Sequence, residues 1–238
     1  MDIRKITNGI YSAQGVGGMR SMNDGEHYMM IGGGGTCLVR YAFKTGEVVD
    51  TLFAVDNARG CDFKRFDGYI MSPAEDRILI QTKTKPIYRR SFTAEYYIYD
   101  VKNKKMAPLS TGGPQQVPSF SPDGKMIAWL SMEHDGYESD LNRLCVMDLA
   151  TGERKYITEK PDGEEKAIFD SNVDSYCWAP DSKSLYFTGT WHGTTQVYNI
   201  TTDCKLTKMT EGMHDYNSVA MLGDNSLIMT RVSMSAPA

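Results

Sequence analysis

The chain has 238 residues, of which 41% are hydrophobic and 24% charged, a composition typical of a globular protein with a substantial core. A net charge of −4 argues against a broad electrostatic attraction to nucleic acid or to anionic membranes. No stretch is long and apolar enough to span a bilayer, so neither a nucleic-acid partner nor a membrane partner is expected.

A tight-turn pattern between two alternating segments recurs along the chain. Its turn centres fall at residues 24, 74, 123, 181 and about 224, a mean period of 50 residues. Pro, Asp and Gly favour such turns, and the flanking period-2 alternation predicts strands, so each copy predicts a β-hairpin. The copies read "MRSMNDGEHYMM" (19–30), "YIMSPAEDRILIQ" (69–81), "SFSPDGKMIAW" (119–129), "YCWAPDSKSLYFT" (176–188) and "SVAMLGDNSLIMT" (218–230).

A second signature follows each of the first four copies. It contains an alternating strand, a polar turn such as Lys-Thr-Gly-Glu or Ala-Thr-Gly-Glu, and another short strand. Each unit therefore has four strands, A to D, at the repeat length of a β-propeller blade. A β-sandwich is the main alternative, but it does not predict the same C–D signature in every unit. The four copies are "VRYAFKTGEVVDTLF" (39–53), "YYIYDVKNKKMAPLS" (96–110), "LCVMDLATGERKYIT" (144–158) and "QVYNITTDCKLTKMT" (196–210).

These repeats predict an all-β fold, a propeller of about five four-stranded blades in a single domain over residues 1–238. The last repeat has strands A and B but no C–D signature, so its blade is incomplete. The N-terminal "IRKITNG" (3–9) is similar to the D-strand ends "KYITEK" and "TKMTEG", so we expect the N-terminal strand to complete the last blade. The alternative is an open arc whose exposed edges favour a homo-oligomer. The predicted repeats are about 10–60, 61–112, 113–160, 161–212 and 213–238 plus 1–9.

Motifs for catalysis, metal binding or cofactor binding are not found in the sequence. It contains no G-x-S-x-G, H-E-x-x-H, P-loop or C-x-x-C pattern, and the four histidines are scattered over different repeats. The five cysteines are widely spaced and are predicted to be isolated, mostly buried thiols. The glycine run 32–35 is predicted to be a B–C hairpin turn and not a phosphate loop. No catalytic residue, metal or cofactor is therefore predicted.

The segment "KPIYRRSFTAEYYIYD" (85–100) is the strongest candidate for a binding site. Arg89 and Arg90 lie between aromatic residues in the predicted B–C loop of the second repeat. A guanidinium offers a planar fork of donors that suits a carboxylate or a peptide carbonyl. The alternative is that both arginines pair with surface acids.

Parts of the sequence are similar to one peptidase family. The segments "GVGGMRSMNDGEHYMM", "RYAFKTGEVVDTLF" and "IYRRSFTAEYYIYDV" resemble the N-terminal β-propeller of bacterial dipeptidyl peptidase IV. From about residue 125, "DGYESDLNRLCVMDLATGER" and "NVDSYCWAPDSKSLYFTGTWHGTTQVYNI" resemble another branch of the prolyl oligopeptidase family, the dipeptidyl peptidase 5-like and acylaminoacyl-peptidase enzymes. The resemblance changes from one branch to the other near residues 119–129, and the chain has five repeats where the family has seven or eight. Together these two observations suggest a recombined or excised propeller.

The resemblance implies a function. In this family the propeller caps an α/β-hydrolase domain and restricts access to large substrates, and its members are often periplasmic or secreted in bacteria. The family pattern aromatic-Arg-x-Ser-aromatic-Thr-Ala places the arginine that contacts a substrate carbonyl at Arg89, with Arg90 as a secondary candidate. The paired glutamates that hold the substrate amino terminus have no counterpart, because Glu164-Glu165 lies in an unrelated turn context.

We therefore expect a non-catalytic propeller that acts as a scaffold or substrate gate for a peptidase. Its expected partners are a peptide substrate or an α/β-hydrolase domain. The alternatives are an independent propeller that binds proteins or peptides, and an enzyme with an unrecognised site.

Overall fold

The computed structural model describes residue 3 and residues 18–86, 92–110, 115–132, 140–159 and 168–235. Within these ranges the protein is built from antiparallel strands and one short 3-10 helix, Val55–Asn57. The predicted all-β class is confirmed. None of the described helices is long and apolar enough to cross a membrane.

Four sheets have four strands each, and within every sheet the strand order follows the chain. We call these sheets blades 1 to 4 and label their strands A to D in chain order. The first blade contains β1 (Arg20–Ser21), β2 (His27–Gly32), β3 (Cys37–Ala42) and β4 (Val48–Ala54). The second contains β5 (Gly68–Met71), β6 (Arg77–Pro86), β7 (Phe92–Asp100) and β8 (Lys105–Pro108).

The remaining strands continue the same pattern. The third blade contains β9 (Gln116–Phe120), β10 (Met126–Ser131), β11 (Arg143–Asp148) and β12 (Arg154–Tyr156). The fourth contains β13 (Val173–Trp178), β14 (Ser184–Trp191), β15 (Thr194–Thr201) and β16 (Leu206–Lys208). Blade 5 has two described strands, β17 (Asp215–Met221) and β18 (Leu227–Val232), which agrees with the predicted incomplete last blade.

The recurring tight turn joins strands A and B, as predicted. In blade 3 the Ser121 backbone N–H donates to Met126 O at 2.8 Å, and Gly124 takes a φ of 70° that suits glycine. The Ser121 hydroxyl donates to Asp123 Oδ1 at 2.7 Å and closes the turn with a side-chain bond. Blade 2 has the same register, with the Ser72 N–H donating to Arg77 O at 2.9 Å. The turn is therefore a structural element of the repeat.

Neighbouring A–B turns also contact one another. The Asn23 side-chain amide donates to Pro73 O at 2.7 Å, which joins blade 1 to blade 2. The Asp123 N–H donates to the Ser182 hydroxyl at 3.0 Å, which joins blade 3 to blade 4. These bonds fix the relative positions of neighbouring blades at their A–B turns.

The hydrophobic core lies between blades and not within a single sheet. Because alternate residues of a strand face opposite sides, each blade gives one apolar face to the preceding blade and one to the following blade. Burial of these faces is the main stabilising contribution. The clusters between blades 1 and 2, 2 and 3, and 3 and 4 are represented by Met29 with Tyr99, Leu79 with Trp129, and Leu144 with Phe187.

Blade 5 is packed less tightly than the others. Val219 is its buried apolar residue among those described, whereas Ile228 is 52% exposed. The predicted closure by the N-terminal strand falls almost entirely outside the described residues. In that segment the structure describes Ile3 alone, which is three-quarters exposed, so closure stays a prediction.

Candidate functional site

The antiparallel order places connections of different kinds on two opposite faces. The turn face carries the A–B and C–D turns. The loop face lies at the opposite strand ends, where each strand B ends and each strand C begins. These ends are Gly32 and Cys37, Pro86 and Phe92, Ser131 and Arg143, and Trp191 and Thr194.

Arg89 and Arg90 belong to residues 87–91, which lie outside the described residues. Their connection starts and ends on the loop face, because Pro86 of β6 pairs with Phe92 of β7. The structure thus shows the stem from which the candidate arginines extend, and the contact of Arg89 with a substrate stays a prediction.

An ion pair joins the two strands of this stem. Lys83 Nζ lies 2.8 Å from Glu95 Oε2 and 3.9 Å from Asp62 Oδ2, so one ammonium contacts both the facing strand and the D–A connection. The hydrogen bond to Glu95 raises the pKa of Lys83 above its ordinary value. The ladder shifts register between Thr82 and Lys85, and Lys83 takes a φ of 52°. The bulge therefore changes the direction of the hairpin where the ion pair holds it.

Further hydrogen bonds attach the stem to the connection between blades 1 and 2. The Thr84 N–H donates to Asp67 Oδ2 at 3.1 Å, and the Thr82 hydroxyl donates to Arg65 O at 3.0 Å. Burial is the main cause that raises the pKa of Tyr97 to about 12, followed by a hydrogen bond with Asp62. The phenol is therefore neutral at ordinary pH. The strands on either side of residues 87–91 therefore form a stem with fixed geometry.

A second feature of the loop face was not predicted from the sequence. Trp191 ends β14, directly before the turn residues His192 and Gly193, and is 38% exposed. Its ring packs edge-on against Phe169 at 5.6 Å and stacks with the His192 ring at 5.5 Å. Trp191 and His192 line a cavity of about 350 Å³, together with Tyr198 and residues of β16. An aromatic residue just before a two-residue hairpin turn was the available sequence signal.

The glycine run forms the predicted B–C hairpin turn of blade 1. Gly33, Gly34 and Gly35 all have positive φ, and the Gly35 N–H donates to Gly32 O at 3.0 Å. A Cβ on Gly35 would lie 2.7 Å from Phe66 O, so glycine is required there for close packing against the next connection.

The other chemical groups do not converge on a reactive centre. Among the described residues no cluster of three or more His, Cys, Asp or Glu side chains is arranged to hold a metal ion. All five cysteines lie in described segments and are free thiols. Cys145 is buried and the other four are partly buried. Burial raises the pKa of Cys145 to about 12, so its thiol is protonated and unreactive at neutral pH. His134 and Glu164-Glu165 lie outside the described residues.

Known proteins with the same architecture are β-propellers. The crystal structure of Porphyromonas gingivalis dipeptidyl peptidase 4 superposes with a TM-score of 0.74 at 23% identity, over 98% of this chain and 38% of that chain. The β-propeller domain of the Trilobed protease from Pyrococcus furiosus superposes with a TM-score of 0.52 at 16% identity, over 92% of this chain and 62% of that one. These similarities show the fold, so the class of the protein is a β-propeller.

Sequence comparisons show which proteins parts of the chain resemble. The family model "Dipeptidyl peptidase IV (DPP IV) N-terminal region" matches residues 72–133. Dipeptidyl-peptidase 5 from Porphyromonas gingivalis is 43% identical over 145 residues, 60% of this chain and 20% of that protein. Dipeptidyl-peptidase 5 from Porphyromonas endodontalis is 39% identical over 158 residues, 65% of this chain and 22% of that protein.

The family match over residues 72–133 and the dipeptidyl-peptidase 5 relatives confirm the resemblance to a dipeptidyl peptidase propeller that was predicted from the sequence. The matches span about a fifth of the length of these curated relatives. The family match runs through residues 119–129, where a join between two branches was suggested, and that join stays a hypothesis.

Proposed function

We propose that the chain is the non-catalytic propeller part of a prolyl-oligopeptidase-family peptidase, where it acts as a scaffold and substrate gate. Relatives 43% and 39% identical are dipeptidyl-peptidases. The observation that supports this role best is the bulged β6–β7 stem on the loop face, because Lys83 ties it to Glu95 and Asp62 at the base of the Arg-bearing segment. On this proposal the loop face is directed towards an α/β-hydrolase domain.

Arg89 is the proposed contact for a substrate carbonyl, with Arg90 in a secondary role. A guanidinium that donates to a carbonyl makes a charge-assisted hydrogen bond, which contributes about 1.5–3 kcal/mol. Such a contact helps to position a peptide but carries out no bond cleavage. This division of roles agrees with a propeller that selects substrates for a separate catalytic domain.

Peptide binding to the chain tests the role of Arg89. We expect tetra-alanine to shift backbone amide resonances of β6 and β7 in an NMR titration. Arg89→Ala should weaken binding about tenfold, and the neighbouring Arg90→Ala should weaken it less. Arg231→Ala on β18 serves as a remote control for loss of one positive charge. Equal affinity of the Arg89→Ala variant and the unchanged chain would exclude the proposed contact.

An activity assay tests the non-catalytic part of the proposal. The chain should show no hydrolysis of dipeptidyl arylamides. Turnover that a serine-directed inhibitor abolishes would contradict the proposal and would favour an enzyme with an unrecognised site.

A second candidate is an independent propeller that binds proteins or peptides. The exposed Trp191, held by Phe169 at the edge of a cavity of about 350 Å³, favours this function. Exposed aromatic residues next to a pocket are typical interface anchors. If this candidate is correct, Trp191→Ala should reduce tetra-alanine binding while Arg89→Ala leaves it unchanged.

We also propose that residues 1–238 form one domain and that its open edge at β18 is covered either by the N-terminal strand or by a second copy. Size-exclusion chromatography with solution scattering separates these arrangements. A compact monomer supports closure, and a dimer supports pairing of exposed edges.

A further inference from the structure

A cavity of about 460 Å³ opens between blades 2 and 3 on the turn face. Its walls are the C–D hairpins of the two blades, and its floor is apolar. Ile98 and Ala107 of blade 2 and Met147 of blade 3 line this floor. The cavity thus continues the apolar interface between the two blades to their outer edge.

A row of charged side chains crosses the blade 2 wall. Arg77 of β6 pairs with Asp100 of β7, and Asp100 pairs with Lys105 of β8, so the three side chains share one face of the sheet. Leu79 and Ile98 lie two positions along the same strands and pack towards blade 3. The charged row therefore faces blade 3, across the cavity.

The opposite wall contributes a third cation. Arg154 of β12 pairs with Met147, which packs against blade 2, so Arg154 faces the cavity as well. Its Nη1 atom lies 3.4 Å from the Ser110 hydroxyl of the neighbouring blade. Arg77 Nη1 lies 3.7 Å from Asp76 Oδ2 and 3.5 Å from Gly124 O. These contacts are long, so both guanidinium groups keep donor capacity for a ligand.

The two aspartates among the lining residues are engaged in their own turns. Asp100 accepts hydrogen bonds from the Asn103 backbone N–H and side-chain amide, both at 2.8 Å. Asp148 accepts the Ala150 and Thr151 N–H groups at 2.8 and 2.9 Å. Asp148 also alternates with Met147, so its side chain belongs to the face of blade 3 directed towards blade 4. Asp76, which lies 3.7 Å from Arg77, also accepts the Ser72 hydroxyl at 2.8 Å. Three cations against Asp100 and Asp76 leave the cavity with a positive balance.

The equivalent position in the next blade shows that the propeller does not need this charge. Arg77 and Met126 are equivalent, because each begins strand B and accepts the N–H of the serine that opens the A–B turn. Met126 packs against the apolar cluster between blades 3 and 4. The fold therefore accepts an apolar side chain at this position, and structural demand does not explain the guanidinium of blade 2.

We propose that the cleft between blades 2 and 3 is a binding site for a small organic anion with an apolar body, such as an alkanoate that carries an aryl group. Arg77, Lys105 and Arg154 bind the anionic group by charge-assisted hydrogen bonds. The apolar part of the ligand covers Ile98, Ala107 and Met147. Cavities of 300–1,000 Å³ that combine an apolar lining with a few polar groups are typical of small-molecule sites.

A pair of probes with the same shape tests the charge requirement. We expect 4-phenylbutyrate to bind the chain in a calorimetric titration and its neutral analogue 4-phenylbutyramide to bind at least about tenfold more weakly. Binding of the carboxylate should also weaken as salt is raised, because salt screens partly exposed charges. Failure of 4-phenylbutyrate to bind up to its solubility limit, or equal binding of both probes, would overturn the proposal.

Substitutions locate the site. Arg77→Met copies the residue that blade 3 carries at this position, so the variant should fold and should bind 4-phenylbutyrate about tenfold more weakly. Lys105→Gln and Arg154→Gln change exposed side chains and provide independent tests if Arg77→Met fails to fold. Arg231→Met on β18 is the matched control and should bind normally. Unchanged affinity in the three cleft variants, or an equal loss in Arg231→Met, would exclude this cleft.

Discussion

Blade 4 and blade 5 have the same A–B hairpin but differ in how they are packed. Blade 4 shares a continuous apolar cluster with blade 3, in which Leu185, Phe187 and Ile200 are fully buried. Blade 5 contacts blade 4 through Val219 and through polar bonds, such as Thr195 N–H to Asp215 Oδ1 at 2.7 Å. The comparison shows that a strand pair with a correct turn gains its stability from the neighbouring blade and not from the hairpin alone.

The largest expected effect comes from removal of an aromatic ring at the blade 3–blade 4 interface. The Phe187 ring is fully buried, edge-on to Phe169 at 5.0 Å and stacked with Tyr198 at 5.3 Å. Phe187→Ala should lower the free energy of unfolding by about 3–5 kcal/mol, through lost burial and a residual cavity. Ile228→Ala in blade 5 removes a half-exposed side chain and should cost less than about 1 kcal/mol. Urea denaturation compares them, and equal losses would contradict the packing difference.

A matched pair of glycines provides the second test. A Cβ on Gly189 of β14 would lie 2.5 Å from Phe169 Cζ and 2.8 Å from Asn172 O, so Gly189→Ala should destabilise the protein by about 1–3 kcal/mol. Gly223 in the blade 5 turn has no atom within 4 Å of that position, and Gly223→Ala should change stability by less than about 0.5 kcal/mol. Thermal melts of both variants measure the difference, and a neutral Gly189→Ala would refute the close contact.

The third test compares the removal of one tyrosine hydroxyl from blade 4 with the removal of one from blade 5. The Tyr176 hydroxyl lies within hydrogen-bonding distance of the Val117 and Ala128 carbonyl oxygens, at 2.8 Å from the latter, and so links blade 4 to blade 3. Tyr176→Phe should cost about 1–2 kcal/mol, because the carbonyl of the buried Ala128 loses a donor. The Tyr216 hydroxyl of blade 5 lies 3.3 Å from His214 Nε2, and Tyr216→Phe should cost less than about 0.5 kcal/mol. Chemical denaturation measures the free energy of unfolding of both variants. If Tyr176→Phe is as stable as the unchanged chain, the bond between blades 3 and 4 does not stabilise the protein.

Alkaline pH should weaken the packed blades through groups that are neutral when buried. Burial raises the pKa of Cys145 to about 12 and that of Cys177 to about 11, above the ordinary value of 9.0. The unfolded chain therefore loses these protons first, so the contribution of the two thiols to stability is constant below about pH 9 and is lost as pH rises towards 11–12. Unfolding midpoints at pH 8 and pH 10.5 measure the loss. In the double variant Cys145→Ala, Cys177→Ala, the loss of stability between pH 8 and pH 10.5 should be smaller. An unchanged loss would show that other groups cause it.

Much of the fold could be predicted because the repeat is written in local turn chemistry. Ser121-Pro122-Asp123-Gly124 specifies its own hairpin, and the spacing of such turns specifies blades. Side chains between blades were harder to place, because equivalent strand positions carry different residues: Arg77 lines a cavity between blades 2 and 3, whereas Met126 packs against the apolar cluster between blades 3 and 4. Trp191 was missed because strand alternation does not show how far a hairpin tip extends beyond the core. Lys83 has positive φ without being glycine, so no residue type signalled the bulge.

Amide hydrogen exchange on the whole chain tests most directly whether stability comes from the interfaces between blades. Exchange protection reports the free energy of local opening at each strand. We predict the slowest exchange in β10, β11, β14 and β15, whose side chains form the apolar cluster, and markedly faster exchange in β17 and β18. Equal protection of blade 5 and blade 4 would contradict this account, since it would show that the hairpins are stable without a packed neighbour.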